Sequence, residues 1–356
     1  MSEREVGGWR PARYVAVGVG LAAVIALAGF VAASGPPRPD VPKTTPRRLV
    51  AAVAEALAAR RPLSGWVVTH LDLGLPALPQ GASKGPLSFA GDHRLRVWQS
   101  PAGLRIADVL PLGERVLVVG PSGAWTWDSE SFSARRLAGP AVTSAAQDLG
   151  GMLSQLDPTA LARSSLRLIS NSTEVGLGSP ARVAGRDAHV LILRPRSDAT
   201  LVDRVAVSID ERTHVPLAVE VFGAGLTRPS LSAGFESVSY QPVAREMFEF
   251  SPPPGAIVEK TSGHVRSGQG HPPHGGAFRW GETRVFGSGW ASVLAIPLPA
   301  SSSDEPGQSK ELPLPENVTP FSGPLFSADI VEASTRRWLL VGAVPPERLQ
   351  RARSRL

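Results

Sequence analysis

His264, His271 and His274 form the chain's one histidine cluster, and the spacing His271-Pro-Pro-His274 would let two imidazoles reach a single metal ion. No cysteine exists anywhere in the chain and no carboxylate lies near the cluster, so nothing completes a coordination sphere and the segment reads as a polar loop. No P-loop, HExxH or GxSxG pattern is present; a Ser-His-Asp triad scattered along the chain would leave no local trace. Gly176-Leu177-Gly178 followed by Ala181 echoes a dinucleotide-binding loop, but the strand that should precede it and the helix that should follow are missing. His70 and His189 fall within predicted strands, where packing or hydrogen bonding accounts for them. No metal, cofactor or enzymatic activity is therefore expected. The absence of cysteine also excludes disulfides, thiol catalysis and an acylated lipoprotein cysteine.

What remains for function is apolar surface. The chain has eight tryptophans against two tyrosines, and Trp66, Trp98, Trp125 and Trp127 lie in successive β-type runs. They either line an apolar cavity or fill a β core. Ala188–Leu193 is apolar on both strand faces apart from His189, so its second face needs cover from helices or from an apolar ligand. Leu149, Met152 and Leu153 recur at helical spacing and could supply that cover. The candidate cavity lining is therefore Trp66, Val68, Val97, Trp125, Trp127, Leu149, Met152, Leu153, Leu191 and Leu193.

The elements that must position these residues are mostly strands. Thr45 offers an N-cap with Pro46 at the first helical position, and Leu49, Val53, Ala56 and Leu57 share one stripe of a helix that Pro62 stops. Short β-type runs follow at Gly65–Leu73, Arg94–Gln99, Leu104–Leu110, Arg115–Gly120 and Trp125–Asp128. A helical insertion at Gln147–Arg163 interrupts them. Strands resume at Ala188–Pro195, Arg204–Asp210, Pro216–Phe222 and Leu231–Tyr240, with Trp290–Leu298 and Trp338–Val344 last. Residues 260–278 and 300–320 are rich in Gly, Pro and Ser and are expected to be disordered loops.

The net charge of +6 sits at the ends of the chain: residues 34–48 carry +3 and residues 347–356 carry +3, so the body is close to neutral. A fold that gripped phosphates along its length would cluster Lys and Arg on itself, so no nucleic-acid partner is expected. Residues 1–13 read as a cytoplasmic leader and residues 14–34 as a transmembrane signal-anchor. Tyr14–Ala33 carries no charge and, at about 1.5 Å per residue, spans a hydrocarbon core of ~30 Å. Basic residues flank the segment on both sides, so charge alone leaves its orientation open. A cleavable signal peptide ending near Val31 and Ala33 is the alternative. Residues 35–44 form a Pro-rich linker and residues 351–356 a basic tail.

The runs SGWVVTHLDLGLPALP (Ser64–Pro79), VAGRDAHVLILRPRSDATLVDRVAVSIDERTHVPLAVEVFG (Val183–Gly223) and FEFSPPPGAIVE (Phe248–Glu259) resemble actinobacterial extracytoplasmic proteins of the LolA-like superfamily. That group contains lipoprotein carriers and RseB-type sigma-factor regulators. GSGWASVLAIPL (Gly287–Leu298) and WLLVGAVPPERLQ (Trp338–Gln350) share the resemblance, which covers roughly residues 45–350. It implies an α+β fold: an incomplete antiparallel β-barrel, in effect a highly curved sheet, with inserted helices forming a lid over an apolar cavity. It also implies a lipid or acylated ligand, and in the RseB branch an anti-sigma factor partner.

The expected protein is a single-pass membrane protein whose outer domain binds a lipid or lipoprotein-type ligand, as local carrier or envelope-stress sensor. A filled-core module docking an anti-sigma factor or another membrane protein, and a hydrolase with a scattered triad, are the other readings.

Overall fold

The computed structural model describes residues 39–72, 74, 91–137, 158–159, 162–163, 171–260, 283–298, 320–333 and 336–356. The expected membrane segment, the lid residues Leu149, Met152 and Leu153, the histidine cluster and nearly all of the two expected loops lie outside them. Among the described residues no helix is long and apolar enough to cross a membrane, and no group of three His, Asp or Glu side chains could hold a metal ion.

Helix α1 spans Pro46–Ala59, and Thr45 caps it by accepting a hydrogen bond from the Arg48 amide at 3.3 Å. Its apolar stripe buries Leu49 and Val53, while the chain leaves through Arg60 in the left-handed conformation. The first half of the large sheet is a meander: β1 (Leu63–Leu71), β2 (Gly91–Ser100), β3 (Gly103–Leu110), β4 (Gly113–Gly120), β5 (Gly123–Asp128) and β6 (Ser133–Leu137). The second half comprises β7 (Thr173–Leu177), β8 (Ala181–Val183), β9 (Arg186–Pro195), β10 (Val202–Asp210), β11 (Pro216–Gly223) and β12 (Leu231–Ser239). β13 (Ile257–Lys260) then returns to pair with β6 in parallel.

The strand order is β13-β6-β5-β4-β3-β2-β1-β12-β11-β10-β9-β7, with β8 on β9. Apart from β13 every pairing is antiparallel, as hairpin-length connections favour. β1 is the joint, pairing with β2 on one side and β12 on the other. A second sheet holds β14 (Arg284–Phe286), β15 (Val293–Pro297), β16 (Phe321–Ser322), β17 (Ser327–Ala333) and β18 (Arg336–Gly342), in the order β14-β15-β18-β17-β16. Helix α2 (Pro346–Arg353) packs Leu349 and Ala352 against this small sheet beside Val293, Trp338 and Leu340. The two sheets meet where Thr200 donates to the Ala343 carbonyl at 2.6 Å and Trp290 donates its Nε1–H to Thr173 at 2.8 Å.

The turn between β10 and β11 is held by a buried carboxylate. Asp210, 1% exposed, accepts from the Arg212 and Thr213 amides at 2.9 and 3.2 Å and from the Tyr240 hydroxyl at 3.1 Å. Arg186 pairs with it from β9 and stacks 4.9 Å from the Tyr240 ring centre. Three strand ends converge on this group. Asp210→Ala is expected to lower stability by about 3 kcal/mol, because the guanidinium and the phenol lose their shared acceptor. Urea denaturation measures this, and a loss below about 1 kcal/mol would show that the turn holds without the carboxylate.

Candidate functional site

Register decides which side chains share a face. Side chains directly opposite one another in antiparallel strands point the same way, so the pairs can be followed across the sheet. Leu191, Val207, Val219, Ala233, Thr69 and His93 form one row from β9 to β2. Phe235, Val67, Leu95, Asp108 and Arg115 form the next, from β12 to β4. A third row, on the same side, holds Val97, Ile106 and Leu117. This inner face is apolar for most of its width. Leu191, Leu193, Val207 and Val219 are fully buried in a cluster that includes Leu49 and Val53 of α1 and Trp290.

Set into the apolar wall at β1 to β3 is a polar group. Thr69 is 1% exposed, and its hydroxyl has no hydrogen-bond partner among the described residues. His93 Nδ1 lies 3.2 Å from Asp108 Oδ2, with the carboxylate side chain 1% exposed and the imidazole 12%. Arg115, next in the row, reaches Asp128 at 3.3 Å and Glu130 at 3.8 Å. An apolar wall with a few convergent polar groups is the usual composition of a site for an amphiphilic molecule. An orphaned buried hydroxyl is uncommon, because leaving such a group unpaired costs about 1–3 kcal/mol.

The register divides the cavity residues expected from sequence between two faces. Val97, Leu191 and Leu193 lie on the inner face, where each is at most 1% exposed. Trp66 and Val68 lie on the opposite face, since they pair with Arg96 and Arg94 in β2, a strand whose Leu95 and Val97 point inward. Trp125 and Trp127 are also outside, opposite Val118 and Val116, and pack against Phe250 at 5.7 and 6.3 Å. These four therefore do not line one cavity with the leucines. Thr69, His93 and Asp108 were not legible as a set; the one signal was the alternation Val67, Thr69 within an otherwise apolar run, which puts a hydroxyl on a buried face.

Two buried side chains, His189 and Asp210, make stability depend on pH. Burial holds the His189 imidazole below its ordinary value, with Glu211 opposing and His214 reinforcing the shift. Burial pushes the Asp210 carboxyl up, but the Arg186 guanidinium and the Arg212 and Thr213 amides outweigh it and hold the group below its ordinary value. Both depressed groups support the fold above their unfolded-state values and withdraw that support as pH falls. Stability is expected to decline first below about pH 6.5, from His189, and again below about pH 4, from Asp210. His189→Gln removes the first decline and leaves the second, as read from thermal midpoints across pH.

No family model matches the chain, and no curated protein matches it. Solved structures do. The chain is similar to the crystal structure of MucB at 16% identity and TM-score 0.45, covering 86% of this chain and 94% of that one. A MucA/MucB complex from Pseudomonas aeruginosa matches at 14% identity and TM-score 0.43, over 86% of this chain and 96% of that one. A LolA superfamily protein from Nitrosomonas europaea matches at 10% identity and TM-score 0.25, over 58% of this chain and 99% of its own.

Proposed function

We propose that this chain is a non-catalytic binding protein that holds a lipid or acyl ligand against the inner face of its large sheet, outside the cytoplasm and tethered to the membrane by Tyr14–Ala33. It acts there as a local carrier or as a sensor of envelope stress that reports to a membrane partner such as an anti-sigma factor. The observation that carries the reading is the row from Leu191 through Val207, Val219 and Ala233 to Thr69 and His93. It runs from apolar to polar in the sense an amphiphile needs, and its polar end carries the unpaired Thr69 hydroxyl. Acyl burial would supply the driving force, at about 25 cal/mol per Å² before ordering costs. Thr69, His93 and Asp108 would orient the polar end.

A filled-core interaction module is the second reading, and it too has an observation. Leu95, Val97, Leu191 and Leu193 are each at most 1% exposed, which is how a packed interior looks.

Native mass spectrometry of the full chain, followed by organic extraction, separates the two. Binding predicts one lipid of defined mass per chain. Thr69→Val should reduce its retention severalfold while raising unfolding stability by about 1 kcal/mol, because the orphaned hydroxyl is gone. A gain in stability with no lipid retained by either protein would move the chain to the filled-core reading.

A further inference from the structure

The outer face of β1 to β3 presents a surface that plays no part in ligand retention on the inner face. Register sets Trp66 opposite Arg96, Val68 opposite Arg94 and Trp98 opposite Arg105, so indoles and guanidiniums alternate across three strands. They lie within stacking reach. Arg94 is 4.4 Å from the Trp66 ring centre, Arg96 is 5.5 Å from Trp66 and 4.7 Å from Trp98, and Arg105 is 5.9 Å from Trp98. Glu236 neutralises Arg94 at 2.7 Å. Among the described residues no carboxylate pairs with Arg96 or Arg105, and the buried Arg105 Nε has no hydrogen-bond partner. Val68 and Val109 stand 44% and 49% exposed beside the ladder, and Leu112 in the following turn is fully exposed.

We propose that this face, through Trp66, Arg94, Arg96, Trp98 and Arg105, docks on an anionic phospholipid surface. Three features select lipid over an acidic peptide. The backbone groups of β1 to β3 are already paired on both sides, so no strand can be added there. Half-buried indoles beside exposed valines and unpaired guanidiniums are the composition that settles at headgroup level, with apolar bodies and charged tips. The membrane is also within reach: twelve residues, 34–45, join the apolar segment ending at Ala33 to the first turn of α1. This third feature rests on the membrane tether proposed above.

The absence of cysteine makes the test specific, since Val68→Cys carries one environment-sensitive dye on this face alone. The full chain is reconstituted into liposomes of phosphatidylcholine, with or without phosphatidylglycerol. With phosphatidylglycerol the emission should shift to the blue and quenching by aqueous iodide should fall severalfold; without it, or at high salt, neither should occur. Arg96→Glu should reduce the docked population about twenty-five-fold, from roughly fivefold per unit charge near an anionic surface over a change of two charges. A dye at Leu112→Cys should follow Val68→Cys, whereas one at Val285→Cys, 60% exposed on the edge of the small sheet, should not respond. Thr69→Val should leave all of this unchanged, which keeps the result separate from ligand retention. Equal quenching in both lipids, an equal response at Val285→Cys, or protection by a polyglutamate peptide in place of phosphatidylglycerol would each overturn the proposal.

Discussion

The pairing of β1 with β12 holds the two halves of the large sheet together, and every shared face described above depends on it. Without it the β2 to β6 meander and the β9 to β12 meander would be separate sheets, and the row from Leu191 to His93 would be cut between Ala233 and Thr69. The joint is tight. A side chain at Gly65 would run into the Ser237 carbonyl, so the residue there must be glycine for β12 to approach. A bulge between Trp66 and Val67 then resets the pairing, and Trp66 remains outside while Val67 points in against Phe235 and Leu95.

That joint is also the least local strand pairing among the described residues. Some 160 residues separate its two strands, so loop closure opposes it until both meanders have formed and apolar burial at Val67, Leu95 and Phe235 outweighs the lost chain entropy. The hairpins on either side need no such closure. β2 to β6 follow one another through short turns, and β10 and β11 are drawn together by Asp210. Arg186 and Tyr240 bring β9 and the end of β12 to the same carboxylate, so contacts within the second half alone fix its register.

How much could be read from sequence follows from the same distinction. The start of helix α1 was legible to the residue because its cap, first-turn proline and apolar stripe are all local, while its end came at Ala59, earlier than Pro62 suggested. Most strands of the two meanders were legible from their alternation. β6, β7, β8, β13, β14, β16 and β17 were not. Asp329 and Glu332 break the apolar pattern of β17, and β13 gains its place only by reaching β6 in parallel. Trp290–Leu298 and Trp338–Val344 were legible as the last strands but not as a separate sheet, in which β15 and β17 flank β18.

Face assignment lay beyond sequence for a different reason. Trp66 with Val68, Trp125 with Trp127 and Leu191 with Leu193 each share a parity within their own strand, but parity does not say which side a strand presents until its partner's register is known. Residue type misleads here: the large aromatics stand outside under guanidiniums, while a threonine, a histidine and an aspartate are set into the buried side. Arginine resolves the apparent inversion. At Trp66 and Trp98 a guanidinium over the indole shields its apolar surface and keeps a charged tip in water, whereas Trp125 and Trp127 are covered by Phe250. The inner face has no such device, and its buried polar atoms must find partners within the wall or in whatever lies against it. One sheet thus separates two surfaces by a period of two residues, an apolar-to-polar row inside and a cationic-aromatic ladder outside. A single-residue slip at the Gly65 joint would exchange them.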